Sequence, residues 1–297
     1  MKKVGAIDFG FGFTKTKTDT ELKRIPTHLG VLDSKSEDLR GVVKYDLVNY
    51  VVGDDVKFLQ SKINIATIKE LVKYYPIFLK WFLESNGYDA STTHFVTGLP
   101  PVYKEEKANI EKIFRDFGTT GDVVSQSVGI FADTMSDIKG ETVLIIDGGY
   151  NTLDYLALTR NGEDWRKIRS GTLLGQGANK AIEFFKEELS GVADIIKTMA
   201  TNTLQKPFED RRILVGGDFI DASEFAENAV KKYALTIEGR LKAELGELSE
   251  TVEQTVLGGG CANFLKGYVD LPNIIVPEKP EFSQVRGYYK IGVESVQ

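Results

Sequence analysis

Two short segments of this 297-residue chain set an aspartate just ahead of closely spaced glycines, at the end of an apolar run. The first is Asp8-Phe9-Gly10-Phe11-Gly12-Phe13-Thr14-Lys15, entered from Val4, Ala6 and Ile7. The second is Asp147-Gly148-Gly149-Tyr150-Asn151-Thr152, entered from Leu144, Ile145 and Ile146. Glycines at such a turn let backbone N–H groups approach a ligand closely, as phosphate-cradling turns require. An aspartate at the strand end suits hydrated Mg²⁺, which takes one or two carboxylates and keeps several waters. Lys15 can neutralise phosphate oxygens, and Thr14 can offer a hydroxyl. Two such turns facing each other would clamp a polyphosphate and its metal between domains. Neither segment is a P-loop or a dinucleotide fingerprint, because Asp precedes the glycines where a strand-to-strand turn is expected.

A third glycine cluster, Gly258-Gly259-Gly260 followed by Cys261-Ala262-Asn263, ends another apolar run. Bare backbone there would let a flat nucleoside lie against the chain. Gly175-Gln176-Gly177 opens a predicted helix and reads either as pocket lining or as a plain helix cap. Gly216-Gly217-Asp218 reads as a hairpin turn.

These turns need strands to carry them. Each Asp-Gly segment is followed by alternating residues that suit a returning strand, Thr14 to Thr20 and Thr152 to Thr159, and then by a third strand, Leu22 to Pro26 and Trp165 to Ser170. The same unit is therefore used twice. Strands are also expected over His94 to Leu99 and Glu253 to Leu257. Helices are expected over Ser61 to Leu83 with a bend at Pro76, over Glu105 to Phe117, over Gln176 to Leu189 and over Glu224 to Leu245. Ser223 occupies an N-cap position for the last of these, and Gly246 a C′ position. The aromatic stretch Tyr74, Tyr75, Phe78, Trp81 and Phe82 has the spacing of a buried helix face. This gives two α/β domains, residues 1–138 and 139–283, hinged near Met135 to Glu141, with the terminal segment 284–297 crossing back to the first.

Composition narrows the function. The chain carries 37 basic and 43 acidic residues, a net charge of −6, which disfavours a direct grip on nucleic acid. A single cysteine, Cys261, excludes an intrachain disulfide framework or a Cys-rich zinc site. His28 and His94 stand alone, so a His-based metal site or a Ser-His-Asp triad is not expected. No apolar stretch is long enough to span a membrane, and the N-terminus lacks the apolar run of a signal peptide. A cytoplasmic protein is expected.

Taken in order and spacing, Asp8-x-Gly-x-Gly-x-Thr-Lys, Asp147-x-Gly-x-x-Thr and Leu257-Gly-Gly-Gly-Cys-Ala resemble the two phosphate motifs and the adenosine motif of the actin, sugar kinase and heat-shock chaperone ATPases. Ser125 to Ala132 resembles the connecting helix of actins. Val285-Arg286-Gly287-Tyr288-Tyr289-Lys290-Ile291-Gly292 resembles the C-terminal segment of ParM-like plasmid-segregation actins and their archaeal relatives. The resemblance covers essentially the whole chain. It implies an actin-like (ribonuclease H-like) α/β fold, two similar domains each with a mixed sheet flanked by helices, and ATP or GTP with Mg²⁺ in the cleft between them. It implies that Asp8 and Asp147 hold the metal through water. Gly10, Gly12, Phe13, Thr14 and Lys15 would contact phosphate from one side, and Gly148, Gly149, Tyr150, Asn151 and Thr152 from the other. Gly258, Gly259, Gly260 and Cys261 would face adenosine, with Gly175 and Gln176 nearby. Gln126 aligns with the residue that orients attacking water in eukaryotic actin, where ParM carries Glu; it also reads as an exposed helix-start residue. Glutamine is a poor base, so slow hydrolysis is expected.

The function so implied is a polymerising ATPase whose partner is itself, with a DNA-bound adaptor carrying any plasmid cargo. A small-molecule kinase is the alternative, and would need a carboxylate base from among Asp122, Asp133 and Asp137. A chaperone is disfavoured because no β-rich peptide-binding domain follows. A non-hydrolysing scaffold is disfavoured because the C-terminus is neither basic nor strongly amphipathic.

Overall fold

The computed structural model describes residues 2–32 and 38–297. The chain divides into two compact units, Met1–Ser136 with Phe282–Gln297, and Asp137–Glu281.

The first unit is built on a five-stranded sheet: β1 (Lys3–Phe9), β2 (Phe13–Lys17), β3 (Leu22–Pro26), β4 (Thr93–Leu99) and β5 (Thr120–Ser125), in the order β3-β2-β1-β4-β5. β1, β2 and β3 are antiparallel, while β4 and β5 run parallel to β1. β1 is buried from Val4 onward, which is why it reads as a near-continuous apolar run, and β4 is buried throughout although it carries Thr93, His94 and Thr97. A smaller sheet joins Val42–Tyr45, Val48–Val52, Leu29–Val31 and Lys62–Ile63.

The aromatic stretch is core. It lies on α1 (Ile68–Asn86), where Phe78 meets Phe9 with ring centroids 4.3 Å apart and Phe82 meets Phe95 at 5.2 Å. The helix does not start at Ser61. Its N-terminus is set by a capping box in which Thr67 Oγ1 accepts from the Glu70 amide, and the Glu70 carboxylate accepts from the Thr67 amide at 2.9 Å. Such a cap contributes about 1 kcal/mol. Upstream, Lys62–Ile63 instead pairs as a short strand with Leu29–Gly30. Pro76 sits inside the helix, where the lost backbone bond costs about 3 kcal/mol. Burial of the surrounding face, Tyr75, Ile77, Phe78, Leu79 and Phe82, offsets it.

Further helices are α2 (Lys107–Asp116), preceded by a 3₁₀ turn over Pro101–Glu106, and α3 (Gln126–Thr134), which follows β5 directly. The C-terminal helix Ser283–Ser295 lies over the sheet, where its Val285 and Tyr288 form a small core with Ala6 and Val96.

The second unit repeats the plan with β6 (Thr142–Gly148), β7 (Thr152–Asn161), β8 (Asp164–Leu174), β9 (Gln254–Gly259) and β10 (Ile274–Ile275), in the order β8-β7-β6-β9-β10. The first three are again antiparallel, and β9 and β10 are again parallel to β6 and each other. Its core is closed by α4 (Ala178–Leu189), through Ile182, Phe185 and Leu189, and α5 (Ser223–Leu245), through Ala229, Tyr233, Ile237 and Leu241. Ser223 is not the N-cap but the first helical residue; its amide is met by Asp221 Oδ1 at 2.9 Å. Gly216 and Gly217, at φ 62° and 97°, turn the hairpin Arg212–Val215 and Asp218–Asp221, as expected for a two-residue turn. Among the described residues no helix is long and apolar enough to cross a membrane.

Candidate functional site

Parallel strands end on one edge of a sheet, and ligands of open α/β sheets gather outside those carboxyl ends. In the first unit the edge carries Asp8 from β1, Gly98 from β4, and Ser125-Gln126 where β5 passes into α3. Asp8 is 1% exposed, and Lys15, its cross-strand partner on β2, reaches it with Nζ–Oδ2 at 2.7 Å. Gln126 approaches the other carboxylate oxygen, Nε2–Oδ1 3.4 Å, from 118 residues away in sequence. An aspartate, a lysine and a glutamine therefore meet at one turn.

The Gly10–Gly12 turn is tied from behind. Thr27 Oγ1 donates to the Gly10 carbonyl at 2.6 Å, and the Thr27 amide to the Gly12 carbonyl at 3.1 Å. A Cβ on Gly10 would stand 3.0 Å from the Phe13 carbonyl. Thr14, expected to offer its hydroxyl to phosphate, is fully buried and shares that hydroxyl with Thr27 at 2.9 Å. It braces the turn from the interior because strand alternation points it into the unit, while Lys15 points to the edge. Phe13 lies under the Arg24 guanidinium, 4.4 Å from ring centroid to Cζ.

In the second unit Asp147 is 2% exposed and Gly148 is buried, and the register pairs them with Gly258 and Gly259 of β9. The second phosphate-like turn and the glycine cluster thus end adjacent strands. Gly259 has φ 76°, and a Cβ there would lie 2.6 Å from Asp147 Oδ1 and from the Gly148 carbonyl. Gly260 is exposed, and a Cβ there would meet only the Gly148 carbonyl, at 3.9 Å. The Gly149 amide donates to the Thr152 carbonyl at 2.9 Å, closing the turn around half-buried Tyr150 and Asn151. Its other face caps α4: the Gly149 and Tyr150 carbonyls accept from Ala178 and Asn179 at 2.9 Å each. The glycine pair Gly175 and Gly177 flanks Gln176 just before that helix, with Gly177 as its N-cap.

In each unit by itself, bare backbone and a buried aspartate at a strand end, joined in the first unit by a lysine, are chemistry that suits phosphate and a hydrated divalent cation. Comparison with known proteins decides the family. Residues 6–130 match the model for the N-terminal domain of actin-like proteins. Residues 145–270 match the C-terminal domain of the archaeal MreB-like actin homologue. Together the two models cover most of the chain, which belongs to the actin-like proteins.

Solved structures agree on the fold of this actin-like protein. A subunit of a 15-stranded ParM filament from Clostridium botulinum superposes with a TM-score of 0.79 at 19% identity, covering 99% of each chain. An archaeal actin homolog in complex with ADP gives 0.76 at 15%, covering 99% of this chain and 100% of the other. ParM of Bacillus thuringiensis with ATP gives 0.68 at 14%, with both chains covered completely. No curated protein sequence matches.

Two features of this actin-like site escaped the sequence reading. Asp154 stands opposite Asp147 across the β6–β7 pair, where the first unit has Lys15 opposite Asp8. It is 1% exposed, and burial pushes its carboxyl up to about 7, with Thr172 pulling weakly the other way. The strand alternation Asp147 to Asp154 could have revealed it. The second is Tyr233 on α5, whose hydroxyl donates to the Gln176 carbonyl at 2.6 Å and lies 3.5 Å from Cys261 Sγ. Cys261 Sγ in turn reaches the Gly149 carbonyl at 3.4 Å, and the Cys261 amide donates to the Gly148 carbonyl at 3.0 Å. Cys261 is therefore a buried spacer beneath the turn rather than an exposed contact. Burial, assisted by the nearby Asp147 charge, pushes its thiol up to about 12.

The carboxylates that a kinase reading required are placed elsewhere. Asp122 pairs with His94 at 3.1 Å, Asp133 with Arg286 at 2.6 Å, and Asp137 is exposed in the second unit.

Proposed function

We propose that this actin-like protein binds a nucleoside triphosphate with Mg²⁺, assembles into filaments in the bound state, and hydrolyses the nucleotide slowly. The observation that carries the reading is the convergence of Asp8, Lys15 and Gln126 at one glycine turn. Asp8 and Asp147 are the carboxylates that would hold the metal through water. The metal would supply charge neutralisation at the phosphate oxygens. Gly10, Gly12 and Lys15 would bind phosphate from the first unit, and Gly148, Gly149 and Thr152 from the second. Gly258 and Gly259 would bring the strand end close to the nucleoside, and exposed Gly260 would leave it room against backbone. Gln126 would orient the attacking water. An amide positions water without removing its proton, so turnover would be slow, as fits a reaction in which positioning and charge do most of the work.

Relatives support each part separately: one is described with ADP, one with ATP, and one as a filament. Head-to-tail association of identical subunits without closure produces open filaments. Moving a DNA cargo through a separate DNA-bound adaptor would suit a chain of net charge −6. The kinase alternative is weakened because Asp122 and Asp133 are already paired within the fold.

The test is right-angle light scattering after addition of ATP and Mg²⁺, with released phosphate followed in parallel. Scattering that rises and later decays supports a dynamic filament. Flat scattering, with phosphate transferred only when a sugar or acid is added, would overturn it in favour of a kinase.

A further inference from the structure

We propose that Asp133 and Arg286 form a clamp that positions Gln126 for hydrolysis, an inference that rests on the water-orienting role given to Gln126 above. Gln126 is the first residue of α3, and Asp133 lies two turns further along the same helix, about 10 Å down its axis. Asp133 is held from the C-terminal helix on four bonds. Arg286 Nε lies 3.1 and 2.9 Å from its two carboxylate oxygens, Arg286 Nη2 lies 2.6 Å from Oδ2, and Ser283 Oγ donates to Oδ2 at 2.8 Å. Lys290 Nζ adds a bond to the Asp133 carbonyl at 2.7 Å. The Asp133 side chain is 7% exposed and that of Arg286 23%, so the fork is largely shielded from water.

Between clamp and glutamine the two helices touch backbone to backbone. A Cβ on Gly287 would fall on the Gly129 carbonyl, and a Cβ on Gly129 would fall on the Tyr288 ring. The Tyr288 phenol end occupies the space above Gly98, where a Cβ would also stand 3.2 Å from Gln126 Cγ. Gln126 thus rests against the strand end that Tyr288 fills, and α3 has little freedom to rotate or slide at Gly129. The ion pair fixes the far end of this lever and the glycine contact supplies its fulcrum. A rotation of α3 by a small angle would move the Gln126 amide off the line along which a water oxygen bonds to the γ-phosphorus while the bond to the bridging oxygen breaks. Asp133 and Arg286 touch no reacting atom, so their role is positioning.

The test uses the full-length protein with ATP and Mg²⁺. Phosphate release is measured against ATP concentration for the wild type, Asp133→Asn, Arg286→Gln, Gln126→Ala, and Gln126→Ala combined with Asp133→Asn. Scattering and binding of a fluorescent ATP analogue are read on the same samples. Both clamp variants should lose at least fivefold in kcat, with nucleotide affinity within twofold and assembly retained. Asp133→Asn should cost nothing further once Gln126 is alanine, an outcome that a merely structural effect would not give. Should Asp133→Asn fail to fold by circular dichroism, Arg286→Lys keeps the charge but loses the planar fork and carries the same comparison. Unchanged kcat in the clamp variants, or a full multiplicative loss in the double variant, would overturn the clamp alone. A wild type that neither binds nor hydrolyses ATP would sink the functional reading and the clamp with it.

Discussion

Lys15 Nζ stands 2.7 Å from Asp8 Oδ2, so the cation proposed to meet phosphate is held by the carboxylate proposed to hold metal. On the proposed function the pair would have to loosen, freeing the lysine for phosphate and the carboxylate for the waters of a hydrated metal. Lys15→Ala should weaken binding of a fluorescent ATP analogue at least tenfold, about 1.4 kcal/mol. It should also destabilise the protein, by up to about 3 kcal/mol, because it leaves Asp8 buried without its cation. Equal affinity in the variant would remove Lys15 from the site.

Asp147→Ala should abolish phosphate release and leave the fold intact, since the change removes a single buried carboxylate at a strand end and keeps the strand register. Circular dichroism and a melting curve check the fold, and a phosphate assay checks turnover. Persisting hydrolysis would remove Asp147 from the proposed metal site.

Asp154 predicts a pH dependence. Its carboxyl rises from 3.8 to about 7 because burial disfavours the charged form. A raised folded-state value means the native protein binds the extra proton, so the stabilising contribution is complete below pH 4 and is lost as pH rises through 7. The difference is on the order of 4 kcal/mol. Urea midpoints measured without nucleotide or divalent metal should therefore fall between pH 5 and pH 8, and Asp154→Asn should flatten that slope. The same slope in the variant would assign it to another group.

Tyr233→Phe removes the hydroxyl that joins Gln176 to Cys261. A partly buried carbonyl left without its donor costs at most about 1–3 kcal/mol, which a denaturation curve will show. Nucleotide affinity should fall severalfold in addition, because the Gly175–Gly177 segment and the Gly149 turn lose their common support. A stability loss with unaltered affinity would make Tyr233 a core residue only.

Much of this protein was legible locally. Asp8 and Asp147, each with glycine within two residues, mark strand ends because tight turns demand glycine and a short polar side chain there, and those demands are met within a few residues. The repeated strand-turn-strand unit followed from the same signals and fixed the order of both sheets' first three strands. Caps were less legible. Thr67 and Glu70 carried the true start of α1, while the apolar run from Ser61 overran it, and Asp221 rather than Ser223 meets the first free amide of α5. What only the tertiary structure decided are the pairings across long separations: Gln126 with Asp8, Thr27 with Thr14, Arg286 with Asp133, and Tyr233 with Gln176. Residue type alone does not choose such partners. They are chosen by which strands lie side by side, in which register, and by how closely glycine allows two helices to approach, and these are properties of the packed chain.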